Sequence, residues 1–166
     1  MFLFCFRGAR RLFYKILVPL DGSEHSMKAL DYAVQIAKKF SGKITLLNVY
    51  SASVQPILLP EPTTLGSPGV PLLTAADVSM VVEAAKRAGK RILDDGEEKV
   101  KAGRVPFEKI LVEGHPVEEI VREVGEHGFD LIVIGARGLS HIREILLGSV
   151  TDGVIHHVSC PVLVIK

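Results

Sequence analysis

Two glycines late in the chain, Gly135 and Gly138, are followed after nine further residues by Gly148-Ser149-Val150-Thr151. Residues of these types at this spacing suit the binding of a phosphate or a sugar phosphate. Gly135 and Gly138 carry no side chain, so a ribose or phosphate can approach the backbone closely. Gly148 and Ser149 open an expected helix, and the unpaired N–H groups and dipole at a helix start attract an anion. Ser149 and Thr151 would add hydroxyl donors in the same turn. The plainer alternative is that the glycines only make a strand-to-helix turn, and spacing alone does not separate the two. Arg137 can pair with a phosphate or lie solvated. Asp21 follows an apolar run far upstream, where it can face a ligand or cap its own turn.

Other signatures are absent from the sequence. There is no G-x-x-x-x-G-K-[ST] phosphate loop, no G-x-G-x-x-G after the first strand and no G-x-S-x-G nucleophile elbow. His156-His157-x2-Cys160 invites a metal reading, but adjacent histidines at a helix end diverge and lack further ligands. Favourable charge near a helix C-terminus explains them better. His115 reads as a turn residue before Pro116, and His25 and His141 as solvent-facing. Asn48 and Tyr50 flank Val49, and strand alternation would turn them outward.

The elements that must position these residues follow from apolar runs. Lys15 to Pro19, Ile44 to Tyr50, Phe107 to Val112, Asp130 to Ile134 and Pro161 to Ile165 read as five strands, covered on both faces. Between them lie helices. The first is capped by Ser23, carries Met27, Leu30, Ala33, Val34 and Ala37 inward, and ends at Ser41-Gly42. A long second helix is marked by Val78, Val81, Val82, Ala85, Ala88 and Ile92; it is expected to weaken around Gly89 and Gly96 and to end by Gly103. Pro116 starts a third, with Val117, Ile120, Val121 and Val124 inward and Gly128 beyond its end. A fourth covers Ser149 to His157. Residues 51–74 hold Pro56, Pro60, Pro62, Pro68 and Pro71, which exclude a regular element. The alternation of strand and helix implies one α/β domain, a three-layer sandwich around a five-stranded parallel sheet. Ligands of such sheets sit beyond the carboxyl ends of strands, where the winding reverses.

The 166 residues suffice for one domain with a substantial core. A formal net charge of +1 argues against a dedicated nucleic-acid binder. Cys5 and Cys160 cannot build a disulfide framework, and a buried free thiol at Cys160 fits a reducing, cytoplasmic setting. The apolar start, Met1 to Phe6, is too short to span a bilayer, so no integral membrane association is expected.

Gly135-x2-Gly138-x9-Gly148-Ser149, together with KILVPLDGSEHS, ITLLNVY, EGHPVEEIV and ILLGSVTDGVIHHVSCPVLVIK, resembles the universal stress protein family, in its ATP-binding subgroup. The resemblance divides the chain into an N-terminal tail, 1–14, and one domain, 15–166, with a flexible Pro-rich loop at 51–74. It implies an adenine nucleotide alpha hydrolase-like fold that binds ATP, with AMP or ADP as alternatives, and Mg or Mn held through the phosphates. By the same resemblance, Asp21 would contact adenosine, Pro19 and Leu20 would shape the base pocket, and the Val49 backbone would meet the adenine edge. Gly135 and Gly138 would lie against ribose and α-phosphate, and Gly148, Ser149, Val150 and Thr151 would hold the phosphate chain. It further implies a homodimer through the C-terminal strand.

Phosphoryl transfer needs a group that orients the nucleophile, and none stands at a supporting spacing. The expectation is therefore a nucleotide-responsive regulatory or binding module in stress response. Two alternatives stay open: a slow ATP hydrolase or other ATP-using enzyme, and a nucleotide-free dimeric adapter.

Overall fold

The computed structural model describes residues 12–51, 75–139 and 147–166. All but Ser51 of the expected loop at 51–74, most of the tail at 1–14, Cys5 and His141 lie outside the described residues. Five strands alternate with four helices: β1 (Lys15–Pro19), α1 (Glu24–Phe40), β2 (Lys43–Tyr50), α2 (Ala75–Gly103), β3 (Phe107–Glu113), α3 (Pro116–His127), β4 (Leu131–Gly135), α4 (Ser149–His157) and β5 (Val162–Ile165). All pairings are parallel, in the order β3-β2-β1-β4-β5.

The strands form because their apolar side chains are buried on both faces of the sheet. Ile16, Val18, Ile44, Leu46, Leu131 and Val133 point to one face, where α1 and α2 bring Leu30, Val34, Leu93 and Val100. Leu17, Leu47, Ile132 and Ile134 point to the other, where α3 and α4 bring Ile120, Val124 and Val154. The edge strand β3 keeps Glu108 and Lys109 exposed, as an edge allows. Phe13, in the expected tail, already packs edge-on against Phe40 with ring centroids 5.3 Å apart.

Helix ends follow their residues. Ser23 caps α1 by accepting the Ser26 N–H, and Ser41 ends it in the left-handed conformation at φ 54°. Pro116 opens α3, and Gly128 closes it at φ 61°. His156 and His157 sit exposed in the last turn of α4, each with its Nδ1 against a carbonyl one turn back.

α2 departs from expectation. Its glycines do not weaken it; they form its buried line. Gly89, Gly96 and Gly103 are buried, while Val81 and Ala88, two of the apolar residues that mark the helix, are exposed. A Cβ at Gly89 would fall 2.2 Å from Asn48 Oδ1, at Gly96 2.8 Å from Leu20 Cδ1, and at Gly103 2.6 Å from Val34 Cγ1. Seven-residue spacing returns close to the same side of a helix after two turns, so these positions let α2 lie directly on its neighbours.

Candidate functional site

The sheet winds one way through β1, β2 and β3 and the other way through β4 and β5, so β1 and β4 meet where the direction reverses. β1 pairs with β2 over its whole length, from Lys15↔Lys43 to Pro19↔Leu47. With β4 it pairs only at Ile16↔Leu131 and Leu17↔Ile132. The two strands therefore part toward their carboxyl ends and leave a crevice open to solvent, enclosing about 260 Å³.

Its floor is apolar: Pro19 from β1, Leu47 and Val49 from β2, Ile134 from β4, and Pro116 and Ile120 from α3. The rim is polar, with Asp21 on one side and Arg137, Gly138 and the Gly148–Thr151 turn on the other. Every site residue singled out in the sequence borders this one crevice: Pro19, Leu20, Asp21, Val49, Gly135, Arg137, Gly138, Gly148, Ser149, Val150 and Thr151. Leu20 does so while its Cδ1 faces α2 on the other side of the sheet.

The rim is built from specific bonds. Asp21 Oδ1 accepts the Ser23 N–H at 3.0 Å, so the turn-capping role foreseen for it is real. Its Oδ2 leans toward Gly138, where an added Cβ would fall 2.4 Å away. Across the crevice the Gly148 N–H donates to the Ala136 carbonyl at 2.8 Å. The first bond inside α4 runs from the Asp152 N–H to the Gly148 carbonyl at 2.9 Å, and no side chain caps the helix. The amides of Ser149, Val150 and Thr151 are thus the N-terminal donors that α4 leaves for another partner.

Two donors expected for a ligand are committed elsewhere. The Gly148 amide is used by Ala136. The Thr151 hydroxyl is 3% exposed and donates to the Gly135 carbonyl at 2.7 Å, clipping α4 to the end of β4. Gly135 has a packing reason for its missing side chain: a Cβ would lie 2.8–2.9 Å from His25 and the Ser26 nitrogen. Asn48 does not face outward; at 4% exposure it points into the α2 side of the sheet. Tyr50 alternates to that side too, half-buried, and its phenol pKa is raised by partial burial and by Glu113. Sequence reasoning missed Ser26, Leu47, Pro116, Ile120, Ile134 and Leu139 as crevice residues. For the apolar ones of β2, β4 and α3 the signal, an inner face shared with the core, does not distinguish a pocket wall from packing; Ser26, whose hydroxyl bonds back to the Ser23 carbonyl, reads as part of the helix start.

A parallel five-stranded sheet with a crevice at its reversal, rimmed by a glycine-opened helix, is the arrangement to compare. The family described as the universal stress protein family matches residues 13–166. The chain belongs to the universal stress protein family. Universal stress protein YxiE of Bacillus subtilis is 35% identical over 155 residues, covering 93% of this chain and 100% of that protein. The solved UspA of Lactobacillus plantarum superposes with a TM-score of 0.76 at 26% identity, over 93% of this chain and 99% of that one. A universal stress protein solved in complex with cAMP superposes with a TM-score of 0.63, also at 26% identity, over 93% and 98%. Among the described residues no group of three or more His, Cys, Asp or Glu could hold a metal. No described helix is long and apolar enough to cross a membrane. The thiol of Cys160 is free, half-buried and raised in pKa by its burial.

Proposed function

We propose that this universal stress protein binds ATP, or a closely related adenine nucleotide, in the β1–β4 crevice and acts as a nucleotide-responsive binding module of the stress response. The observation that supports this best is the opening turn of α4. Its Ser149, Val150 and Thr151 amides stand at the rim of an apolar crevice, with glycine at position 148 leaving the approach uncovered. Base and ribose suit the apolar floor of Pro19, Leu47, Val49 and Ile134, and the anionic tail suits the helix start and Arg137. The cAMP complex of a relative supports an adenine nucleotide as the ligand class.

The residues fit the nucleotide on geometric grounds. The Asp21 carboxylate and the Gly138 backbone leave no room for a Cβ between them, which brings both edges of the crevice within reach of one sugar. Asp21 is the only carboxylate among the described lining residues. Mg or Mn would therefore be held by phosphate oxygens and water. When bound, the nucleotide supplies a charged ligand whose presence or absence a partner can read. No described lining residue is a lysine or histidine, so the described lining offers little to activate a nucleophile, and hydrolysis is expected to be slow. The working form proposed is a cytoplasmic homodimer. β5 lies at the sheet edge with its outer backbone edge unpaired within the sheet, an arrangement that favours strand addition.

Equilibrium titration of the purified chain with ATP, AMP, cAMP and GTP tests the reading. Saturable binding of adenine nucleotides in preference to GTP is expected. Absence of saturable binding by any of them would reject it, and sustained turnover above about 1 s⁻¹ would move the chain into the enzyme class.

A further inference from the structure

We infer that Asn48 is a positioning residue for the turn that presents Asp21 to the crevice, and that position 89 of α2 is glycine to make room for it. The inference rests on the nucleotide reading above. Strand alternation puts Val49 toward the crevice and Asn48 toward α2. There the Asn48 Nδ2 donates to the Leu20 carbonyl at 2.7 Å. Leu20 is the residue directly before Asp21, and its own N–H continues the β1–β2 ladder to the Leu47 carbonyl at 2.8 Å. Leu20 is therefore held at its nitrogen by the main chain and at its carbonyl by Asn48. That fixes the plane of the peptide entering Asp21. From there the turn is set by the Ser23 N–H on Asp21 Oδ1 and by Gly22 at φ 81°, a conformation suited to glycine.

The other half of the Asn48 amide explains why this contact is more than packing. Its Oδ1 is buried without a hydrogen-bond partner. Turning the amide over would set oxygen against oxygen at Leu20, so the unsatisfied acceptor follows from keeping the donor in place. An apolar side chain of the same size would avoid a buried orphan acceptor, which is unfavourable. What asparagine alone adds is the bond to Leu20. The space Oδ1 fills is the space a Cβ on residue 89 would need, at 2.2 Å. α2 meets the same turn again at Ile92, whose side chain lies 3.1 Å from where a Gly22 Cβ would stand.

The test uses the whole chain carrying Asn48→Leu or Asn48→Asp, titrated with ATP between about pH 5 and 9. Amide NMR signals of Asp21 and Gly22 are followed in parallel. Asn48→Leu removes the donor and the orphan acceptor together. It is expected to stay folded while ATP affinity falls about tenfold, the order of one hydrogen bond. In Asn48→Asp the introduced carboxyl can donate to Leu20 only while protonated, and burial raises its pKa. Affinity should then be near wild type at the acid end and fall as pH rises, beyond any change in the wild type. The ionisable groups nearby are Asp21 on the turn and, around Tyr50, Glu113, Lys86 and Glu83. They titrate in both proteins, so the wild-type profile is the baseline, and the Asp21 and Gly22 amide signals separate movement of the turn from simple charge repulsion by the introduced carboxylate.

Equal affinity of wild type and both variants across the range would overturn the inference and leave the nucleotide site standing. Should Asn48→Leu fail to fold, the pH profile of Asn48→Asp decides. Should the wild type bind no ATP, the nucleotide reading fails instead, and the amide signals decide for Asn48. A pH-dependent displacement found only in Asn48→Asp supports its hold on the turn; unmoved signals reject it.

Discussion

A side chain added at Gly148 would meet ordinary neighbours, the nearest at 3.5 Å, whereas one at Gly135 would run into the His25–Ser26 backbone at 2.8–2.9 Å. Gly148 also has φ −72°, which any residue adopts. The two glycines therefore separate fold from ligand. Gly148→Val is expected to keep the thermal midpoint within a few degrees and to abolish nucleotide binding, because a larger side chain there crowds the rim beside Arg137 and Gly138, where the proposed phosphates would sit. Gly135→Ala is expected to destabilise the chain by about 1–3 kcal/mol through overpacking. Thermal denaturation and nucleotide titration of both variants check this. In the sequence these glycines are visible only as a spacing. What differs is the neighbour each meets in space: His25 and Ser26, from a distant part of the chain, for Gly135, and the nearby Ala136–Gly138 backbone for Gly148. Thr151 and Asn48 were misread for the same reason: their partners, Gly135 and Leu20, lie in other elements.

At the scale of elements, the glycines of α2 and α3 do opposite things. Gly125, inside α3, has nothing within 4 Å of a built Cβ, so Gly125→Ala is expected to stabilise by about 0.5–1 kcal/mol through the unfolded chain. Gly103→Ala would press on Val34 Cγ1 at 2.6 Å. A β-branched residue in a helix has little rotamer freedom to withdraw, so a loss of about 1–3 kcal/mol is expected. Urea denaturation of the two variants distinguishes them. α2 is also tied to β3 by Glu97, which pairs with Lys101 and Lys109; hydrogen bonds from these lysines hold its pKa down to about 2, against a usual 4.5. A depressed carboxylate contributes stability above its unfolded pKa and loses it as pH falls through the folded one. The urea midpoint should therefore drop between pH 4.5 and about 2, and Glu97→Gln should flatten that window; the exposure of the pair keeps the effect small. All five strands and four helices were legible as apolar runs and caps, within a residue or so at their ends. The inner face of α2 was not: its buried Leu93 and Val100 went unmarked, and the glycines between them carry no hydrophobic signal.

The whole molecule turns on one opening. β1 and β4 separate beyond Leu17 and Ile132, and the start of α4 stands over the gap. The proposed dimer would pair two copies through β5 at the sheet edge, so sedimentation at micromolar concentration is expected to give a dimer, and a monomer would count against that assembly. In the proposed complex the α4 amides grip an anionic tail. An NMR titration of the labelled chain with ATP measures that grip directly. The Ser149, Val150 and Thr151 amides are expected to shift and saturate together, while those on the far face of the sheet do not. Saturation elsewhere with these three unmoved, or no shift at any amide, would contradict it.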